Sequence, residues 1–244
     1  MFSLRERFLL GEVQVTREIR NTFAFIAPFA AWIGLQTVLP ATAGAYAVRS
    51  GVTFLVLLIV LPTIVQVSSR SCGPSPVPRS LVLTSFFGLL GGLLVLALWI
   101  LPEFSDFYRT WCVWPLGSLP AVSTEPSPYD PAVCEWSLTI AKLLGSAFVI
   151  APVEELFFRS FLYRRLQARD FTAVPHGTFD LSAFLWTVFL FTLEHDRPLA
   201  AALCAVVYGL LYLRCGLLAA IVAHVTTNLL LAIYVIHSGQ WGFW

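Results

Sequence analysis

Residues 81–101 read LVLTSFFGLLGGLLVLALWIL, twenty-one consecutive positions without a charged side chain. At about 1.5 Å rise per residue, a helix of this length crosses the ~30 Å hydrocarbon core of a bilayer. Further apolar runs fall at about 23–43, 51–67, 137–163, 181–194, 199–213 and 216–236. Seven runs in all predict an all-α, polytopic transmembrane helix bundle. The composition agrees. Hydrophobic residues make up 58% of the 244 positions and charged residues only 12%, against roughly 25% charged in soluble domains. The 20 Phe and 8 Trp are a liability in water and ordinary in lipid. The 15 basic and 14 acidic residues leave no basic excess for a phosphate backbone, which excludes nucleic acid as a partner and leaves the lipid bilayer as the first one.

Working outward from that run, three parts are expected. Residues 1–22 mix both charge signs and read as a cytoplasmic lead-in, an interfacial amphipathic helix. Residues 23–136 hold the first three spans, the Pro/Ser-rich linker Ser71–Ser80 and a long outer loop at 102–136. Residues 137–244 form a membrane core that carries most of the unexpected polar groups. Arginine placement sets the orientation: ten arginines, from Arg5 to Arg214, fall on one side, against Arg49, Arg109 and Arg197 on the other. The positive-inside rule then puts the N-terminus in the cytoplasm and the C-terminus outside. Cys112 and Cys134 share the outer loop, where an oxidising compartment permits a disulfide; two unpaired thiols fit the arithmetic equally well.

Ionisable groups inside apolar runs cost about 2.5–3.5 kcal/mol each, so each needs a reason to be there. The first set is Glu154, Glu155 and Arg159 in IAPVEELFFRSFLYRRL. Counting ten residues back from Arg164, taken as interfacial, places Glu154 about 15 Å deep, near the midplane. Glu155 and Arg159 are four apart and pair on one helix face. Glu154 lies about 100° around and has no such partner, which suits a group that gives and takes a proton. The bland alternative is an ion pair with a spare Glu at a kink near Pro152. His195 follows in FTLEH, on the tip between two short runs that cover only about 22 Å each, so the tip is expected inside the hydrocarbon thickness. Its neighbours Glu194, Asp196 and Arg197 read as ordinary tip charges. His224 and Asn228 in AHVTTNLL are again four apart on one face; interhelical glue is the alternative for them, and the better reading for Thr226 and Thr227.

One free carboxylate, two imidazoles and one carboxamide on three segments can activate a water and stabilise an oxyanion, the equipment of peptide hydrolysis without a covalent intermediate. No G-x-S-x-G occurs, and Cys204 and Cys215 sit in apolar surroundings that favour the inert thiol. Two His and one Glu could also ligate zinc, but HExxH is absent and Asn is a poor zinc ligand, so metal is the disfavoured alternative and no cofactor is expected.

In order and spacing, EELFFR, FTLEH and HVTTN resemble the EExxxR, FxxxH and HxxxN motifs of the CAAX protease and bacteriocin-processing family, glutamic intramembrane proteases. The resemblance spans roughly 140–236. It implies an all-α bundle, often described with eight spans, in which Glu154 activates water with His195, His224 and Asn228 stabilise the oxyanion, and Glu155 and Arg159 support them. A narrower likeness, in APVEELFFRSFL, FTLEHDR and the closing GQWGFW, is to the CAAX-protease-related proteins found with bacterial exosortase systems. It implies a bacterial inner-membrane protein whose substrate is an exported protein with a C-terminal membrane tail. Two readings from other classes use the same residues: a proton-coupled transporter or channel with Glu154, His195 and His224 as a relay, and a non-catalytic scaffold or immunity protein of the same fold.

Overall fold

The computed structural model describes residues 4–70, 80–108 and 127–244, and among them it contains helices and no strands. Each of the seven apolar runs is occupied by a helix: α1 (Leu4–Val38), α2 (Ala43–Arg70), α3 (Leu81–Ile100), α4 (Trp136–Gln167), α5 (Leu181–Leu193), α6 (Pro198–Cys215) and α7 (Leu217–Ser238). Five stretches are long and apolar enough to cross a membrane: Ala43–Ser69, Leu81–Phe104, Trp136–Gln167, Pro198–Cys215 and Leu217–Ser238. α5 is a shorter apolar helix. α1 runs unbroken past residue 22, so the lead-in and the first apolar run are one helix, which carries Pro28 within it. Large apolar side chains along α2 and α3, such as Leu55, Ile59, Phe86 and Leu90, are exposed on the outside of the bundle. Polar side chains such as Thr53, Glu154, Arg159 and Thr227 are buried inside it. With lipid as the solvent, that is the expected inversion.

Local chemistry explains where the helices stop. Asp180 caps α5 by accepting from the Ala183 amide at 2.7 Å. Pro198 starts α6 at a position where its missing N–H costs nothing. The α6–α7 turn is closed by Gly216 at φ +89°, a conformation that disfavours any side chain. α7 ends on Gly239 at φ +69°.

The tightest approach joins the two halves of the chain. α3 lies along α7, and Gly88 and Gly92 meet Ala219, Val222, Ala223 and Thr226 so closely that a Cβ at Gly92 would stand 2.6 Å from the Ala223 carbonyl oxygen. The Thr227 hydroxyl then donates across this contact to the Gly92 carbonyl at 3.0 Å. Small residues four apart are the usual way to bring two backbones together where lipid offers no hydrophobic drive.

Two charges that the sequence suggested were peripheral prove to be buried anchors. Arg164, expected at the interface, is enclosed by protein and donates to the carbonyls of Val174 (2.8 Å) and Ser160 (3.2 Å) and to His176 (3.3 Å), fastening the 168–180 loop to the C-terminal end of α4. Arg197, read as a tip charge, is 1% exposed; it pairs with buried Glu103 at 2.9 Å and donates to the Gly242 carbonyl, with its guanidinium 4.6 Å from the Phe243 ring. An unpaired buried guanidinium is costly, and each of these two is met by several acceptors. The closing WGF segment is thereby held over the tip that carries His195. Cys134 ends a short helix, Pro131–Cys134; its expected partner Cys112 and the 71–79 linker lie outside the described residues.

Candidate active site

α4 is not a regular helix. Two π-helical segments, Gly145–Ile150 and Leu156–Leu162, flank the short α-helical stretch Ala151–Glu155. Pro152 supplies one cause: it has no N–H to give and its ring crowds the carbonyl four residues back. Widening to π leaves carbonyls free to face other helices, and π segments concentrate at functional sites. Here the Ser146 carbonyl receives the Ala151 N–H and also the Asn228 side-chain N–H at 3.0 Å. The kink that the sequence placed near Pro152 is therefore a π-flanked insert, and it fixes both the carboxylates and the carboxamide.

The polar groups form a chain. Arg159 pairs with Glu155 at 3.1 Å, as the i,i+4 spacing predicted, and also approaches the Ala205 carbonyl at 3.4 Å. Glu155 in turn accepts from His224 Nδ1 at 2.9 Å. With Nδ1 carrying the proton toward a carboxylate, Nε2 of His224 points away from it, toward Glu154 Oε2 at 3.8 Å. That gap is too long for a direct hydrogen bond. His195 lies just past the C-terminal end of α5, and its Nδ1 donates to the Phe191 carbonyl at 2.8 Å, which leaves Nε2 as a free acceptor. Aromatic rings fix both imidazoles: Tyr208 stacks on His224 at 4.6 Å and Phe191 on His195 at 4.5 Å, with Trp99 edge-on to His195 at 5.8 Å.

These groups border one cavity of about 140 Å³, lined by Glu154, His195, His224 and Asn228 together with Trp99, Tyr208 and Leu231, among others. It is large enough for several waters. Glu154, Glu155 and Arg159 are each less than 7% exposed, and Glu154 Oε2 makes no hydrogen bond within the protein. The four residues expected to act chemically thus meet in a single enclosed space, and Glu155 and Arg159 lie directly behind His224. Thr227, read as glue, makes the α3–α7 contact and also borders the cavity.

Sequence reasoning missed Glu194. It is partly enclosed, one of its carboxylate oxygens is buried without a hydrogen bond, and Glu154 feels its negative field, along with that of Glu155 and the positive field of Arg159. A charge next to a predicted site residue on a tip inside the membrane was the available signal. Cys204 also borders the cavity, but no imidazole hydrogen-bonds its thiol among the described residues. No group of three or more His, Cys, Asp and Glu is arranged to hold a metal among the described residues.

Neither the curated proteins nor the solved structures contain a match to the chain. Residues 136–230, which run from the start of α4 into α7 and include every one of the six residues above, match the family described as "Type II CAAX prenyl endopeptidase Rce1-like", and this part of the chain is therefore similar to a family of membrane peptidases.

Proposed function

We propose that the chain is a glutamic intramembrane endopeptidase that hydrolyses a peptide bond near the C-terminus of a membrane-associated protein. The observation that carries this reading is the placement of Glu154 Oε2 3.8 Å from His224 Nε2 in the cavity that His195 and Asn228 also line. One water hydrogen-bonded to Glu154 and to His195 Nε2 would lose a proton to that pair as its oxygen attacks the scissile carbonyl. The developing oxyanion would be met by the His224 ring in its doubly protonated form, whose Nε2–H then faces the cavity, and by the Asn228 N–H that is not committed to Ser146. Glu155 and Arg159 hold the His224 ring in register. The proton taken from water then passes to the leaving amine, so no covalent enzyme intermediate is required.

The narrower likeness supports a finer reading: the substrate is the C-terminal membrane tail of an exported protein, in a bacterial inner membrane that also houses an exosortase system. In the orientation set by the arginines, Trp99, His195 and Leu231 are on the outer side of the cavity, so a tail would enter from that face.

The test is cleavage of a tail-bearing reporter by the protein reconstituted in liposomes. Glu154→Ala and His195→Ala should each abolish cleavage while the variants insert and purify as the parent does. Retained cleavage in both would rule out the mechanism, and proton flux without cleavage would favour the relay.

A further inference from the structure

Near the α1–α2 turn, two cations stand together with no acid paired to either among the described residues. Lys142, the only lysine in the chain, has its ammonium 4.0 Å from the centroid of the Tyr46 ring, 4.7 Å from Tyr129 and 5.7 Å from Trp244. The Arg49 guanidinium lies 3.7 Å over Trp32 and 5.0 Å from the same Tyr46 ring. Neither makes an ion pair among the described residues, and Arg49 Nε is buried without a hydrogen bond. Asp196 acts on Lys142 only through its field, and Arg49 repels it. Aromatic faces attract a cation but do not neutralise it. Two like charges brought together this way leave a positive potential that protein groups do not cancel.

Beside them is a second cavity of about 160 Å³, lined by Arg49, Tyr46, Tyr129, Thr42 and Gln36, among others. It shares none of its lining with the catalytic cavity. It opens at the α1–α2 turn, residues 39–42, where two helices leave the membrane, so it lies at headgroup depth. Below it, Val48, Val52, Leu55 and Ile59 recur at helical spacing along α2, and all four are exposed. They form an apolar track about 100° around the helix from Arg49. Its parts are therefore an anion-sized polar chamber with a positive field, aromatic residues of the interfacial type, and a path for a hydrocarbon chain that leads down from it.

We infer that this cavity binds the phosphate of an anionic membrane lipid, with Arg49 and the tyrosine hydroxyls contacting the phosphate, Lys142 supplying charge from behind them, and an acyl chain lying on the Val48–Ile59 track. A substrate carboxylate is the weaker reading, because the chamber has no lining residue in common with the catalytic cavity and faces α1 and α2.

The test is native mass spectrometry of the full chain in detergent, delipidated and then offered phosphatidylglycerol or phosphatidylcholine with matched acyl chains. The expected result is preferential retention of phosphatidylglycerol, weakened about five-fold by Arg49→Gln, about five-fold by Lys142→Gln, and less by Arg49→Lys. Equal retention of the two lipids by the parent protein would overturn the inference, and this arm holds even if a variant fails to fold. Displacement of phosphatidylglycerol by millimolar inorganic phosphate alone would show a free-anion site instead of a lipid site. Displacement by a peptide with a free C-terminal carboxylate, but not by its amide, would assign the chamber to substrate.

Discussion

The candidate active-site cavity and the Arg49 chamber are both built from charges that a membrane penalises, and they answer the penalty differently. In the cavity, the supporting charges have protein partners, Arg159 against Glu155 and Glu155 against His224, while Glu154 keeps a carboxylate oxygen unbonded 3.8 Å from His224. In the chamber, Lys142 and Arg49 have aromatic rings and no acid. The first arrangement is held by hydrogen bonds and stacked rings, which suits groups whose positions must hold to fractions of an ångström while a proton moves. The second leaves charge to be met by something other than a protein acid. A membrane protein keeps a buried charge either to use it or to offer it, and the company it keeps distinguishes the two.

The sharpest way to break this comparison is to remove one acid from the closed set. Glu155→Ala leaves Arg159 buried without its partner and frees the His224 ring, so it should lose about 3–5 kcal/mol of stability and essentially all cleavage, read by thermal unfolding in detergent and by the reporter assay. By contrast, Lys142→Met, measured in the same lipid-free detergent, should cost no more than about 1 kcal/mol or should stabilise, because it removes an uncompensated charge. Equal losses for the two would erase the distinction. Gly92→Val pushes a side chain against the Ala223 carbonyl one residue from His224, so it should cost about 1–3 kcal/mol or more and lower cleavage even though no catalytic group changes. Asn228→Ala, which removes one donor from the closed set, should reduce the single-turnover rate about 10²–10³-fold with little change in unfolding temperature.

The smallest effect belongs to a third charged cluster, where Arg164 meets the 168–180 loop. His176 accepts from Arg164 through Nε2 and meets the Tyr212 hydroxyl at 3.1 Å; burial first, and Arg164 second, push its pKa down to about 4. The unfolded chain takes up that proton near pH 6.5 and the folded one does not until about 4. This contribution to stability is therefore complete above pH 6.5 and is lost as the pH falls toward 4, at no more than about 1.4 kcal/mol per unit. His176→Gln should flatten that part of the unfolding profile against pH; an unchanged slope would show that the ring is already solvated.

Much of this was legible in the residues. The uncharged run at 81–101 and its counterparts announced the helices, and the i,i+4 spacings in EELFFR and HVTTN announced the Glu155–Arg159 pair and the shared face of His224 and Asn228. Spacing assumes regular helices, however, and α4 is π-helical on both sides of Pro152, so the seating of Asn228 on the Ser146 carbonyl could not be counted out in advance. Nor does a sequence give the partners of an isolated charge. Arg197 read as solvated because Glu103 and Gly242 lie 94 and 45 residues away in the chain, and Lys142 was hidden in an apolar run because its partners are rings on other segments. Glu194 was discounted for standing at a tip, although that tip is inside the bundle.

The central claim is that Glu154 takes the proton from the attacking water. Its most direct test is the single-turnover cleavage rate of Glu154→Gln, a change that preserves the shape of the side chain and removes only its capacity as a base. With unfolding temperature and lipid retention unchanged from the parent, cleavage should fall by at least about 10³-fold at every pH from 5 to 9. Cleavage within ten-fold of the parent would contradict the account and move the base elsewhere in the cavity.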